Sequence, residues 1–255
     1  MYTLTSKASG TDGKGLDFAL DLRCVEVDPG EDIALLDEAY RLRHAVYCDQ
    51  HKPLLEDRPA DGLERDEFDG HARHFCVMDG RGEMVGYSRL VRATGADGVF
   101  PFHAYHAPRL AGVVLPPAAV SAEVSRMIVR PDYRRTRFER GHGAQAGAGL
   151  DERGSAWRRM ASAQIQLSLF RQMYCHSLVQ DIDFWFATME KPWARALAQM
   201  HFRFRPISLE VNHFGPVVTY AAELREFERQ VQAARPELFA WMQAPALERA
   251  RSEAC

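Results

Sequence analysis

The segment Glu123-Val-Ser-Arg-Met-Ile-Val-Arg130, followed by Pro131, decides the fold class of this chain. Apolar and polar residues alternate along it, which is the period of a strand with one face in a core. Proline ends the segment because it has no N–H group for a sheet ladder. Charged side chains are costly to bury without a partner, so a glutamate and an arginine inside such a strand point to ion pairs or a ligand site within a sheet.

The segments on either side of this strand predict both further strands and helices. Residues 74–78 and 84–91 are strand-like runs joined by Asp-Gly-Arg-Gly, which predicts a hairpin. Apolar residues at three- and four-residue steps predict helices elsewhere. Helices are predicted at 35–47, 157–176 and 192–200 and through the last thirty residues, and further strands at 18–24, 183–189, 202–207 and 217–221. The fold class predicted is α/β (α+β), with a central mixed β-sheet flanked by helices and with extra C-terminal helices.

Composition narrows the class of protein. The chain has 255 residues, of which 46% are hydrophobic and 26% charged, as in ordinary globular proteins. Its 32 Lys and Arg against 35 Asp and Glu give a formal charge of −3, which disfavours nucleic acid as a partner. No apolar run approaches the roughly 20 residues of a membrane helix, and residues 1–15 read as a flexible N-terminus without the apolar core of a signal peptide. A cytoplasmic protein is predicted.

Metal and disulfide chemistry are not predicted. The five cysteines are scattered without a Cys-x-x-Cys pair, so neither a disulfide framework nor a zinc site is indicated. His71-x-x-His74 and His103-x-x-His106 have the spacing of metal ligands, but no third ligand is fixed by the sequence.

Several charged residues stand among apolar ones. Arg43 and Tyr47 share the apolar face of the first predicted helix, and Arg89 lies within a predicted strand. Asp66 and Asp69 lie between them in the chain. Such residues form either a structural salt-bridge network or a ligand site, and both interpretations stay open on the residues alone.

The order of these residues resembles that of the acyl-homoserine-lactone synthases, which have the GNAT fold and take an acyl group from acyl carrier protein. The matching motifs run in the same order along the chain. They are Arg43-His-Ala-Val-Tyr47, Glu64-Arg-Asp66-Glu-Phe-Asp69, Gly86-Tyr-Ser-Arg89-Leu90 and Glu123-Val-Ser-Arg126. Four ordered matches are more specific than any one of them.

The second half of the chain resembles the PEP-CTERM/exosortase-associated acyltransferases, a group similar to the long-chain N-acyl amino acid synthases. The motifs are Phe-Ala-Thr-Met-Glu190-Lys-Pro192, His201-Phe-Arg-Phe-Arg-Pro206-Ile and Asn212-His-Phe-Gly-Pro216. Pro53 stands where lactone synthases usually carry a tryptophan ten residues after the first arginine, so a different acceptor from S-adenosylmethionine is favoured. With both resemblances, a GNAT-like acyltransferase domain is expected over 16–222 and a helical extension over 223–255.

The resemblance implies an N-acyl amino acid synthase that transfers a long-chain acyl group to the α-amino group of a free amino acid. The alternatives are a lactone synthase using S-adenosylmethionine and a non-catalytic acyl-carrier-binding module. An amine must lose its proton before it attacks a thioester, so a general base is needed, and Glu123 is the candidate. The catalytic residues expected are Glu123, Ser125 and Arg126, with backbone N–H groups near Ser125 as oxyanion donors.

The acceptor site is expected to use Arg43, Tyr47, Asp66, Asp69 and Arg89. Among the three arginines that can bind the acceptor carboxylate, Arg43 is favoured over Arg89 and Arg126. Asp66 would then accept the ammonium group, and Asp69 would brace Arg89, as the resemblance implies. A structural ion pair between Glu123 and Arg126 is the alternative to a catalytic role.

The donor expected is an acyl carrier protein whose 4'-phosphopantetheine carries the acyl thioester, with no bound cofactor. Acyl carrier proteins are acidic, so a basic patch would orient them. That patch is predicted at Arg130, Arg134, Arg135 and Arg137, and an apolar acyl pocket at Phe102, Phe184, Trp185 and Phe186. The alternative for the arginines is a solvated loop, and the alternative for the aromatic residues is an ordinary hydrophobic core. Peripheral membrane contact would come only through the lipid product.

Overall fold

The structure, a computed structural model, describes residues 2–6, 20–50, 59–95, 98–134, 152–213 and 215–253. The strands β1–β9 are Tyr2–Ser6, Leu22–Val27, Ala72–Asp79, Met84–Arg92, Ser121–Val129, Phe184–Met189, Arg205–Pro206, Val211–Asn212 and Pro216–Glu223. The helices α1–α5 are Ile33–His44, Glu152–Val179, Lys191–Gln199, Leu224–Ala234 and Pro236–Glu253. A π-helical turn, Ala45–Gln50, follows α1.

The strands form a mixed sheet in the order β1-β2-β3-β4-β5-β6-β9-β7, and β8 pairs with β9. Strand β5 runs parallel to β6, and β6 runs antiparallel to β9. Helices flank the sheet, so the predicted fold class is confirmed. Local signals set several of the boundaries. The Asp32 side chain accepts the N–H of Leu35 at 3.0 Å and caps the start of α1, and α3 begins with a proline in its first turn.

Three local predictions are wrong. Tyr2–Ser6 is a strand paired antiparallel with β2, although its polar sequence predicted a flexible segment. The strand predicted at 202–207 is reduced to Arg205–Pro206, which pair with Ala221 and Tyr220 of β9, and the Ile207 N–H donates to the Thr219 oxygen of the same strand at 2.9 Å. A predicted break at Pro245 is not present, since α5 continues through it, whereas the break at Pro236 is the boundary between α4 and α5.

Contacts divide the chain into two compact units, each taken from several stretches of sequence. The first unit comprises Met1–Arg65, Phe75–Ser88 and Met127–Phe170, and the second comprises Asp66–His74, Arg89–Arg126 and Arg171–Cys255. The predicted boundaries at 16, 222 and 223 stay a prediction, since units defined by contacts do not test them.

The core of the first unit packs α1 against apolar side chains of the sheet strands. One apolar cluster of this unit includes Val25, Leu36, Tyr40, Cys76 and Tyr87. Burial raises the pKa of the Cys76 thiol far above its ordinary value, as expected for a cysteine that acts as a small apolar residue. In the second unit, a smaller cluster of Phe100, Phe102, Phe186 and Ile207 lies beside the site described below.

Gly86 on β4 is required by a close approach within the first unit. A Cβ atom there would lie 2.4 Å from the Cγ2 of Ile165 and 3.5 Å from the backbone oxygen of Ile128. Ile165 is β-branched and lies on α2, so it has little rotamer freedom to move away. We expect Gly86→Ala to lower the free energy of unfolding by about 1–3 kcal/mol in urea denaturation.

The matched control is Gly80→Ala, because a Cβ atom at Gly80 meets nothing within 4 Å. This variant is expected to unfold within about 0.5 kcal/mol of the wild type. Equal losses in both variants would contradict the close packing of β4 on α2.

Candidate active site

Glu123, a residue of the second unit, lies where the parallel strands β5 and β6 stop pairing. The register pairs Ser121–Glu123 of β5 with Phe184–Phe186 of β6, and Glu123 stands opposite Phe186. Both strands continue beyond this point, β5 to Val129 and β6 to Met189. Residues paired across a sheet share a face, so the Glu123 carboxyl lies on the same side as the Phe186 ring. Glu123 is only 1% exposed.

An apolar cluster of Phe100, Phe102, Phe186 and Ile207, which we name the apolar wall, contains the residue opposite Glu123 and the residue whose N–H binds it. The Phe102 and Phe186 rings lie 5.0 Å apart between centroids, and those of Phe100 and Phe186 lie 5.1 Å apart. The N–H of Phe102 donates to Glu123 Oε2 at 2.8 Å. One face of the Glu123 site is therefore apolar, with a single backbone donor aimed at the carboxyl.

This environment raises the pKa of Glu123 to about 8. Burial is the largest cause, because water no longer solvates the carboxylate. The Phe102 N–H and the nearby guanidinium groups of Arg89 and Arg126 act in the opposite direction, but do not offset it. A carboxyl that titrates near neutral pH is suited to take a proton from an amine.

The raised pKa predicts a stability change with pH. Between about 4.5 and 8 the unfolded chain releases the Glu123 proton while the folded chain keeps it, so the wild type loses stability as pH rises through this range. The amide of a Glu123→Gln variant does not titrate. We therefore expect the free energy of unfolding of this variant, relative to the wild type, to rise by a few kcal/mol between pH 5 and pH 8.5.

Urea denaturation of both proteins across that pH range measures the difference directly. Glu223→Gln is the control, because Glu223 is exposed at the end of β9 and belongs to the same unit. A constant difference between Glu123→Gln and the wild type would show that Glu123 ionises at its ordinary pKa.

A second group of charged residues, which we name the Arg89 cluster, consists of Asp66, Asp69, Arg89, Ser125 and Arg126. Arg89 is fully buried at its centre. Its guanidinium donates to Asp66 through two nitrogens, at 2.5 and 2.7 Å, and to Asp69 Oδ1 at 2.5 Å. Its Nε donates to Ser125 Oγ at 2.9 Å. The contact between Asp69 and Arg89 implied by the family resemblance is therefore present.

A tight turn presents the two aspartates. The N–H of Asp66 donates to Asp69 Oδ2 at 2.8 Å, and the N–H of Phe68 donates to Asp66 Oδ1 at 3.0 Å. His74, buried on β3, donates from Nε2 to the backbone oxygen of Asp69 at 3.0 Å. This histidine was not predicted to support the site, because its five-residue distance from Asp69 matches no motif.

Asp66 has little capacity left for a substrate ammonium. Its Oδ1 accepts from Arg89 and from the Phe68 N–H, and its Oδ2 accepts from Arg89 and from Arg126 at 3.1 Å. A carboxylate offers about four lone-pair positions, and these four donors fill them. The contacts favour a bracing role for Asp66 over the predicted ammonium site.

Arg126 differs from the other arginines of the site in exposure and backbone. Its side chain is 24% exposed, whereas that of Arg89 is fully buried. Its φ of +53° is left-handed, although it lies within β5. A left-handed residue in a strand is the first residue of one kind of β-bulge. Such a conformation costs about 1–3 kcal/mol and is common at functional sites.

Arg43 and Tyr47 belong to the first unit. Arg43 is fully buried and forms an ion pair with Glu64, and its guanidinium lies 5.2 Å from the centre of the Tyr40 ring. Tyr47 packs against the apolar core of that unit. Glu64 was not predicted as a partner, because it lies 21 residues from Arg43. These contacts favour the structural interpretation of Arg43, and its role in acceptor binding stays a prediction.

The four residues of the predicted acyl pocket are not all together. Phe102 and Phe186 are in the apolar wall. Trp185 is on the opposite face of β6, where its Nε1–H donates to Ser177 Oγ on α2 at 2.9 Å. Phe184 alternates with Trp185 and so shares a face with Phe186, but is only partly buried. Strand alternation explains why three consecutive residues cannot line one pocket.

The predicted docking arginines are only partly described. Arg130 donates to Asp132 at 2.9 Å and to Glu83 at 3.0 Å, so its charge is balanced locally. Arg134 is partly buried, and burial lowers its pKa. Arg135, Arg137 and Pro53 lie outside the described residues. The docking patch stays a prediction.

Comparison with known proteins bears on the fold of this chain. The family described as Acetyltransferase (GNAT) domain matches residues 42–142. The crystal structure of the AHL synthase LasI is similar to this chain with a TM-score of 0.59 and 16% identity, over 85% of this chain and 96% of LasI. That of BjaI, a CoA-dependent acyl-homoserine lactone synthase solved with SAM and isopentyl-CoA, has a TM-score of 0.54 and 19% identity, over 86% of this chain and 97% of BjaI.

FeeM, an N-acyl amino acid synthase from uncultured soil microbes, has a TM-score of 0.49 and 17% identity, over 84% of this chain and 98% of FeeM. No curated protein matches the chain. The GNAT-like fold and the domain match define the class of protein: the chain is an acyltransferase. Its fold is that of the AHL synthases.

Two further observations concern only the residues that the structure describes. None of their helices is long and apolar enough to cross a membrane. Their histidine, cysteine and carboxylate side chains form no group of three that could hold a metal ion.

Proposed function

We propose that this protein transfers a long-chain acyl group from an acyl carrier protein to the α-amino group of a free amino acid. The observation that carries the proposal is the Glu123 carboxyl, buried against the apolar wall with a pKa near 8 at the point where β5 and β6 stop pairing. A second observation supports the proposal: Arg126, three residues after Glu123 on the same strand, has a partly exposed side chain.

The chemistry follows from these positions. The amine acceptor loses a proton to Glu123, and its nitrogen then attacks the thioester carbonyl carbon. The oxyanion accepts hydrogen bonds from backbone N–H groups of β5 near Ser125, beyond the last residue that pairs with β6. The C–S bond breaks and the nitrogen gives its second proton to the departing thiolate, so that a neutral amide and a free carrier thiol are formed. Glu123 then releases the first proton to solvent.

In this proposal Arg126 replaces Arg43 as the residue that binds the acceptor carboxylate. Arg43 is fully buried with Glu64, and Arg89 is fully buried and bound to Asp66, Asp69 and Ser125. Arg126 is the arginine of the Arg89 cluster whose side chain is partly exposed, and a guanidinium can bind a carboxylate through two nitrogens. The other residues of the Arg89 cluster then position Arg126 and the end of β5.

The acyl chain is proposed to lie against Phe102 and Phe186, whose rings border Glu123. The carrier protein as donor and the PEP-CTERM/exosortase-associated grouping are parts of the proposal that rest on the sequence resemblance. BjaI is described as CoA-dependent, so acyl-CoA is the donor to compare.

A competition assay tests the proposal. Purified protein is given a long-chain acyl carrier protein or the matching acyl-CoA, together with all twenty amino acids and S-adenosylmethionine, and the products are identified by mass spectrometry. We expect an N-acyl amino acid, formed faster from the carrier protein. An acyl lactone as the main product, or no acyl product from either donor, would contradict the proposal.

A further inference from the structure

His213 lies at the tip of a hairpin whose turn is held by its own hydrogen bonds. Strands β8 and β9 pair Asn212 with Pro216. Between them, the N–H of His213 donates to the Gly215 oxygen at 2.9 Å, and the N–H of Gly215 donates to Asn212 Oδ1 at 3.1 Å. Gly215 has a φ of +127°, which a residue with a side chain rarely adopts. The turn therefore fixes the backbone from which the imidazole extends.

The imidazole lies against the same elements that surround Glu123. Its ring centroid is 4.3 Å from that of Tyr105. Tyr105 packs on the apolar wall and ends the short helical turn Pro101–Tyr105, which also contains the N–H donor to Glu123. His213 is thus linked to the Glu123 site through one short stretch of chain.

The charge of Arg126 acts on His213. Partial burial and the Arg126 guanidinium both hold the pKa of His213 below its usual range, which keeps the imidazole neutral at neutral pH. A neutral imidazole still has one N–H donor. An N–H donor within the electrostatic influence of a partly exposed arginine suits an anionic oxygen, whereas it does not suit an ammonium group.

The register of the sheet brings these two residues to one edge. Strand β5 runs parallel to β6, with Glu123 opposite Phe186, so the segment containing Arg126 continues towards the Met189 end of β6. Met189 pairs with Val218 near the start of β9, two residues after Pro216. Beyond Glu123, β5 therefore runs in the direction of the same end of β6 at which the hairpin carrying His213 enters the sheet.

We propose that His213 is a specificity-determining residue that, together with Arg126, binds the free carboxylate of the acceptor. The substrate class is then an α-amino acid with an unmodified carboxylate, in contrast to an amine, an ester or an amide. This inference rests on the proposed function and deepens it. No sequence motif indicated a role for His213 beyond its place in the Asn212-His-Phe-Gly-Pro216 motif.

The test compares two acceptors: the amino acid with the highest turnover in the competition assay, and its carboxamide. In the wild type we expect kcat/KM to favour the free acid by at least about 100-fold, because a site built for a hydrogen-bonded group rejects analogues that lack it. In His213→Ala we expect the preference to fall about tenfold, through a higher KM for the acid, with kcat within about twofold.

Conservative variants and a neighbouring control separate recognition from folding. His213→Asn and His213→Gln each retain one N–H donor, and at least one of them should restore part of the preference. His106→Asn is the control, because His106 is exposed and follows Tyr105 with a φ of +48°, a conformation that asparagine tolerates. It should keep the full preference for the acid.

The outcomes separate this inference from the proposed function. If the wild type acylates amino acids and His213→Ala keeps the full preference for the acid, the inference is wrong and the proposed function stands. A loss of kcat with an unchanged preference also overturns it, because the residue then acts elsewhere than on the carboxylate. If the wild type forms no N-acyl amino acid, the proposed function itself fails.

Discussion

Replacing Glu123 by glutamine is expected to lower kcat for acyl transfer by about 10²–10⁴-fold. Glutamine keeps the size of the side chain and can still accept the N–H of Phe102, but cannot take a proton from the amine. Because the pKa of Glu123 is near 8, kcat of the wild type at saturating acceptor should rise with pH and level off above about 8. This rise should be absent from the residual activity of the variant.

The measurement is steady-state turnover from pH 6 to pH 9.5, together with Glu223→Gln as a matched control. Glu223 is an exposed carboxylate of the same unit and should be dispensable. If the Glu123→Gln variant retains more than about a fifth of the wild-type kcat, Glu123 is not the general base. A wild-type profile that is flat across this range would lead to the same conclusion.

Replacing Arg89 is expected to have the largest effect on stability. Arg89→Gln leaves Asp66 and Asp69 close together without the cation that separates them. Removing one partner of a buried ion pair typically costs about 3–5 kcal/mol, and we expect a loss of this size. Arg89→Lys should recover only part of it, because an ammonium group cannot bind one carboxylate through two nitrogens while it also reaches Asp69 and Ser125.

Two comparisons decide whether the Arg89 cluster is the cause. Arg229→Gln removes an exposed arginine paired with Glu226 in the same unit and should cost less than about 1 kcal/mol. Arg89→Gln combined with Asp69→Asn should cost less than the sum of the two single changes, because the second change removes a carboxylate that the first left unpaired. Strictly additive losses would contradict the described contacts.

The sequence was informative where periodicity and turn chemistry act locally. Alternation predicted the hairpin of β3 and β4 and the strand that contains Glu123, and Pro192 marked the start of α3. Alternation also places Trp185 and Phe186 on opposite faces of β6, and the predicted acyl pocket that contained both did not respect this. The strand at Tyr2–Ser6 depends on its pairing with β2, which no local pattern reveals.

Partners that are distant in sequence could not be predicted from the residues alone. The family resemblance implied the contact of Asp69 with Arg89, whereas nothing in the spacing identified Glu64 as the partner of Arg43. The bond from the Phe102 N–H to Glu123 comes from an irregular stretch 21 residues away. Alternation along a strand predicts the side of the sheet on which a side chain lies, but it does not predict which group the side chain contacts.

The most direct test of the account is a crystal structure of the protein with the N-acyl amino acid that the competition assay identifies. The account predicts that the product carboxylate lies within hydrogen-bond distance of Arg126, with the amide nitrogen facing Glu123 and the first methylene groups of the acyl chain against Phe102 and Phe186. A product bound with its carboxylate on Arg43, or with its amide remote from Glu123, would contradict it.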